Sequence, residues 1–365
     1  METASPAGPK QPPAHTTAPA TTHKTPNAPS LEQGFTATYA LRGLWAKTAD
    51  TSDTRGRSRI TEKQRARMVD WMFEVTGTLA RGEVELAVSA FCRAVLLMDL
   101  FTKHHTQRRL GDADVHLLGL ACLFLAGKYE DMGVRLRVFS RLAGHDAFAP
   151  GEICRMEAEI LHTLGFNLSF ATPFDVLRAL AAEGRRRAAA VAGCGRRLVF
   201  EASPQAGKED RAEGSETRVA HEALVQLQGD ICADVFTFSA YALLLTLHHS
   251  LFNDFSPLHR VLACVVRALR HVLRLCMRLP AVRAVGRAEA ERLFREQPFV
   301  AFLLGEAEGH LHSRFLVPRV DEFVRNFSSK RKLLLQVRRN RAYSPAALRL
   351  PCLLGLAAPP GQFGV

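Results

Sequence analysis

This sequence predicts an all-α fold built as two helical bundles, each wrapped around a buried central helix. Three observations carry that prediction. Apolar residues recur at spacings of three and four from residue 35 to about 320. Two long stretches, at about 114–129 and 235–251, are apolar on every side, and no segment shows the alternation of a half-buried strand. With 365 residues and 47% hydrophobic composition, the chain can fill two cores and still carry tails.

The elements follow in order. Residues 1–33 are rich in Pro, Ala and Thr and hold almost no large apolar side chain, so they are predicted to be disordered. Thr25-Pro26 beside Lys24 fits a proline-directed kinase, although Pro/Thr-rich composition alone generates such dipeptides. Residues 34–59 form an outlying helix carrying Phe35, Tyr39, Leu41, Leu44 and Trp45, followed by a polar, basic linker.

The first lobe spans 60–170. Thr61 is the predicted N-cap of a helix whose apolar face is Met68, Val69, Met72, Phe73 and Val75. A second helix carries Leu86, Phe91, Val95 and Met98. The third, about 114–129, has no polar face and must be surrounded by others. A short fourth covers 136–142. The fifth starts near Pro150, which suits a first helical turn, and stops at Gly165. A second lobe at 171–320 follows the same logic around its apolar stretch 235–251. Its polar run at about 181–222 is read as an inserted surface loop, and 321–365 as a basic C-terminal segment.

Composition narrows the function. The eight cysteines stand apart, with no C-x-x-C pair, which favours reduced buried thiols over a disulfide framework or zinc ribbon. No secretory pattern opens the chain, and the apolar stretches read as core helices, so no membrane role is expected. The fourteen histidines and the carboxylates form no metal-ligand or nucleophile motif, and no glycine-rich phosphate loop is present. No cofactor, metal or catalytic residue is therefore expected. His104-His105 and His248-His249 are read as core-edge or surface pairs. A net charge of +12 suits an acidic partner, nucleic acid or nuclear import.

Five segments then fall in a recognisable order: Arg65-Ala66-Arg67-Met68-Val69-Asp70-Trp71; Leu86-Ala87-Val88; Leu117-Leu118-Gly119; Leu125-Ala126-Gly127-Lys128-Tyr129-Glu130-Asp131; and Arg155-Met156-Glu157 followed by Leu164-Gly165-Phe166-Asn167-Leu168. Together they resemble the cyclin box, so the chain is identified as a member of the cyclin family. The resemblance implies two cyclin repeats, the second divergent and supported only by helix count and its central apolar helix. It also implies a non-enzymatic subunit that binds and activates a cyclin-dependent serine/threonine kinase as a heterodimer.

Residue by residue, the resemblance implies that Arg65 and Asp70 form an internal structural ion pair. It implies that Lys128 and Glu157 reach main-chain groups of the kinase, with Tyr129, Leu161, Phe166 and Leu168 supplying apolar contact. Read without it, Lys128 is a lysine at a helix C-terminus and Glu157 a solvated helix residue. Tyr39, with Phe35 one turn earlier, stands where A- and B-type cyclins carry a kinase-facing aromatic. The segment from Phe323 to Lys332 resembles the end of mitotic cyclins, which points to G2/M-like control and to the nucleus and cytoplasm.

The sequence also departs from the family. Cys92 stands before Arg93 where an Asp is usual. The groove that docks kinase substrates or inhibitors would comprise Met68, Trp71, Glu74 and His116, but Gln64 and Arg67 occupy positions usually apolar. The competing reading is a cyclin-fold transcription-associated protein, either a transcriptional-kinase cyclin or a nucleic-acid-bound general factor. Without a zinc ribbon, nucleic acid is the less favoured partner.

Overall fold

The computed structural model describes residues 60–79, 84–105, 109–133, 135–144, 147–194 and 210–330, and every extended element within them is helical. The predicted tail, the outlying helix with Phe35 and Tyr39, and the basic run after residue 330 lie outside the described residues.

The first lobe contains α1 (Glu62–Leu79), α2 (Val84–His104), α3 (Asp112–Tyr129), α4 (Leu136–Gly144) and α5 (Pro150–Thr163). Side-chain oxygens close the helix starts as the sequence suggested. Thr61 Oγ1 accepts from the Gln64 N–H (3.2 Å) while Gln64 Oε1 accepts from the Thr61 N–H (2.9 Å). Glu152 does the same for the Ala149 N–H, and Pro150 occupies the first turn of α5, where its missing N–H costs nothing. α3 is the central helix, with every residue from Leu118 to Gly127 buried against α1, α2, α4 and α5. Gly119 permits that closeness. A Cβ there would clash with the Met68 side chain, which would have to move to admit any larger residue.

The second lobe contains α6 (Pro173–Cys194), α7 (Asp210–Gln226), α8 (Gln228–Thr246), a short 3₁₀ turn (Ser250–Asp254), α9 (Pro257–Cys276), α10 (Pro280–Ala284), α11 (Arg287–Arg295), α12 (Pro298–Gly309) and α13 (Leu311–Lys330). α8 is long and apolar enough to cross a membrane, and here it is enclosed mainly by α6, α9 and α13.

Two expected boundaries need correction. The stretch 181–222, read as a surface insertion, is helical on both sides of 195–209. Ala181, Ala188 and Ala220 are buried, because alanine-rich runs pack closely while their arginines stay outside. One of those exposed groups is neutralised locally, since Arg186 and Arg187 both donate to Glu183. Likewise the 320/321 boundary falls inside α13, whose Val320 and Val324 share one buried face.

The lobes share one continuous apolar core and a buried polar seam. Arg65 donates bidentately to Asp99 (2.7 and 2.8 Å), and its third arm reaches the Leu247 carbonyl at 2.9 Å. Asn253 of the second lobe donates to the same Asp99 at 2.9 Å, and Arg260 donates to Asn253 at 3.3 Å. Burial disfavours the Arg65 cation, but Asp99 more than offsets this and holds its pKa above the ordinary value. Arg260 is less well served: burial, with Arg65 adding repulsion and Asp99 opposing, pushes it down to about 10.

The expected Arg65–Asp70 ion pair does not form. Five residues along a helix place the two side chains about 140° apart, on different faces. Asp70 instead meets Nε2 of His248 at 3.2 Å, which places His248 in the seam, not at the surface. Glu62 completes the join by accepting from the Ser250 N–H at 3.0 Å.

Candidate functional site

The C-terminal ends of α3 and α5 lie side by side and form the face that carries the motif residues. α3 ends on a turn in which the Glu130 N–H bonds to the Ala126 carbonyl and Met132 N–H to the Gly127 carbonyl, with Asp131 left-handed at φ 55°. Lys128 and Tyr129 are thereby delivered to the last exposed turn. α5 ends similarly: Gly165 (φ 58°) and Phe166 (φ 57°) are both left-handed, and the Phe166 N–H caps the Leu161 carbonyl at 2.8 Å. Glycine adopts this conformation freely, whereas a bulky aromatic adopts it at a cost on the order of 1 kcal/mol or more. The strain keeps the Phe166 ring out of the core, 62% exposed.

Lys128 Nζ at the end of α3 and Glu157 Oε1 from the middle of α5 form an ion pair. Glu157 is mostly buried and Lys128 half-exposed, its ammonium 4.7 Å from the centre of the Phe124 ring. Tyr129 flanks the pair, 46% exposed, with its ring under the Arg93 guanidinium at 4.0 Å. Leu161 and Leu168 are half-buried beside it, and His162 meets the Phe166 ring edge-on at 5.0 Å. The structure thus brings together Lys128, Tyr129, Glu157, Leu161, Phe166 and Leu168, six residues from three separate segments. Chemically, this is an apolar surface with one multi-donor cation and one acceptor-only anion at its centre, bonded to each other while no partner is present.

Arg93 is the member that sequence reasoning passed over. Nearly fully buried, it bonds Glu130 at 2.5 Å, donates to the carbonyls of Leu168 (3.1 Å) and Phe170 (3.0 Å), and lies 3.6 Å from Asp175. It therefore fastens the inter-lobe connection to the end of α3. The signal was present, since an arginine inside an otherwise apolar helix needs buried partners. Those partners lie up to 82 residues away, so spacing could not reveal them. Cys92 beside it is buried, its thiol pushed up by burial, and it takes no part. Asp175 closes the start of α6, accepting from the Thr172 N–H and Oγ1, both at 2.8 Å.

At the position of the expected docking groove lies a small cavity of about 230 Å³ lined by Gln64, Arg67, Met68, Trp71, Asp112, Val115 and His116. Trp71 and His116 meet edge-on at 5.0 Å. Glu74, exposed further along α1, is not among the lining side chains. Arg67 leans to the rim toward Asp112 (3.4 Å), where hydrogen bonding from Gln64, then the Arg67 charge, holds the carboxyl below its usual range. A larger cleft, about 1000 Å³, lies on the seam between α1 and α13, away from the α3–α5 face. Among the described residues, no group of three His, Cys, Asp or Glu side chains is placed to hold a metal.

Comparison with known proteins places these features in context. Residues 42–169 match the model of the cyclin N-terminal domain. The same region is 33% identical over 119 residues to Cyclin-B2-1 of Oryza sativa subsp. japonica, an alignment covering 33% of this chain and 26% of the rice protein. It is 31% identical over 120 residues to Cyclin-B2-1 of Arabidopsis thaliana, again covering 33% and 26%. To the G2/mitotic-specific cyclin-B2 of Oryzias javanicus it is 31% identical over 120 residues, covering 33% and 29%. The alignments span about a quarter of the length of these relatives, and the family-model match over 42–169 contains the α3–α5 face.

Proposed function

We propose, from the premise that this chain belongs to the cyclin family through its first lobe, that it binds a cyclin-dependent serine/threonine kinase through the α3–α5 face and activates it. The observation that carries this reading is the Lys128–Glu157 pair, set between the exposed rings of Tyr129 and Phe166. On binding, the pair opens. Lys128 then donates to a main-chain carbonyl of the kinase, and Glu157 accepts from a main-chain amide. Backbone groups are present in any kinase whatever its side chains, so such a contact tolerates sequence variation in the partner. The aromatic rings supply the apolar area that such anchors need.

Activation follows if the face binds the kinase's active arrangement better than its inactive one. To make the active state dominant, that preference must amount to several kcal/mol. The chain then works as a regulatory subunit and contributes no catalytic group. Relatives named G2/mitotic-specific cyclins support a role in G2/M-like control; action in the nucleus and cytoplasm is part of the same proposal and rests on the sequence alone.

The test is co-purification of the full chain from cells, followed by a kinase assay on what comes with it. The variant carrying Lys128→Ala and Glu157→Ala together is expected to lose the associated kinase activity at least about tenfold, because both polar anchors go at once. Undiminished association, with the variant's thermal unfolding unchanged, would show that the interface lies elsewhere.

A further inference from the structure

The second lobe carries a feature that kinase binding through the first lobe does not use. The first half of α9 is buried all round, from Arg260 to Val265, but its second half is two-sided. Leu269, Val272 and Cys276 face the core, while Arg267, Arg270, His271, Arg274 and Arg278 fall within an arc of about 100° on the opposite side. Arg270, Arg274 and Arg278 are exposed and, among the described residues, none has a carboxylate within 4.0 Å. Arg267, at the inner edge, is half-buried and paired with Asp321 at 3.0 Å.

Several other arginines of this lobe are paired. Arg186 and Arg187 share Glu183, Arg287 meets Glu291, and Arg292 is held between Glu289 and Glu296. Among the described residues, Arg270, Arg274 and Arg278 thus form a row of exposed cations without counter-charges beside the paired Arg267. The imidazole in its midst responds to them: burial first, then Arg267, Arg274 and Arg278, holds His271 below the ordinary histidine range. Beside Arg270 lies an apolar groove of about 350 Å³ between α9, α11, α12 and α13, floored by Leu269, Val300 and Leu304, with Arg295 and Glu308 at its margin.

We propose that this face is a docking surface for an acidic, extended protein segment, whose carboxylates or phosphates pair with Arg270, Arg274 and Arg278 while one apolar side chain enters the groove. Arg270 and Arg278, the latter in the turn just past the end of α9, lie about 12 Å apart, the length of three to four extended residues. Guanidinium groups bind either anion bidentately, and their mutual repulsion is relieved when it arrives. The apolar floor of the groove favours a peptide over nucleic acid, which offers no aliphatic side chain to fill it. The surface lies on α9, apart from α3 and α5, so it can be occupied whether or not the first-lobe reading is correct.

The test uses the full chain and a fluorescein-labelled decapeptide in which glutamates and one phosphoserine flank a single leucine, read by fluorescence anisotropy. Binding is expected to weaken as salt rises. The double variant R270E/R274E, and more mildly R270Q/R274Q, should lose affinity, the former by about tenfold or more. R287E, which removes a paired arginine of the same lobe, should change it less than about twofold. Replacing the leucine of the peptide by serine should also weaken binding. The proposal is overturned if the peptide does not bind, if R287E weakens it as much as R270E/R274E, or if the serine peptide binds equally well. A random-sequence DNA duplex binding more tightly through the same arginines would overturn it in favour of a nucleic-acid surface.

Discussion

Arg65 and Asp70 sit five residues apart in the segment that opens the first lobe, yet they serve different partners. Arg65 is 4% exposed and spends its donors on Asp99 and the Leu247 carbonyl, whereas Asp70 lies near the surface against His248. The two substitutions should therefore differ sharply. Asp99→Asn leaves a buried guanidinium without its counter-charge and is expected to cost about 3–5 kcal/mol. Asp70→Asn, at a half-exposed ion pair, should cost less than about 1 kcal/mol. Urea unfolding of both variants checks the assignment, and equal losses would contradict it.

At the scale of the element, helix ends carry the candidate site. The sequence predicted where α3 and α5 stop, because Gly165 and the polar run after Tyr129 mark the ends. It did not show that Phe166 shares the left-handed turn with Gly165. That detail separates stability from binding. Phe166→Gly removes a strained, exposed aromatic, so its unfolding free energy should stay within about 1 kcal/mol of the unaltered chain. Kinase association, if it uses this face, should fall. A large loss of stability without any loss of association would assign Phe166 to packing instead. Elsewhere the element boundaries misread from sequence were those in Ala/Arg-rich or charged stretches, at 181–194 and 210–222. There local polarity suggested a loop, but burial of small alanines decided for helix.

For the whole molecule, the seam is the new information. Asp99, Asn253 and Arg260 are 154 and 7 residues apart along the chain and still form one buried network joining the lobes. With a single apolar core running through both, heating should unfold the described lobes in one cooperative transition by calorimetry. Asn253→Ala removes the bridge to Asp99 and the acceptor for Arg260, and should cost about 1–3 kcal/mol. Two separate transitions in the unaltered chain would mean that the seam contributes little.

The amino-acid sequence by itself determined the helical class, the two central helices, the caps at Thr61 and Pro150, and the order of the motif segments. All of these depend on local periodicity, on capping chemistry, or on motifs in register. Only the tertiary structure decided that Lys128 and Glu157 hold each other, that Arg93 clamps the connection between the lobes, that Arg65 answers to Asp99, and that Arg270, Arg274 and Arg278 have no carboxylate beside them among the described residues. The physical reason is the same in each case. A charge's partner is set by which surfaces meet in space, and helices far apart in the chain meet at angles and offsets that no spacing along one helix encodes.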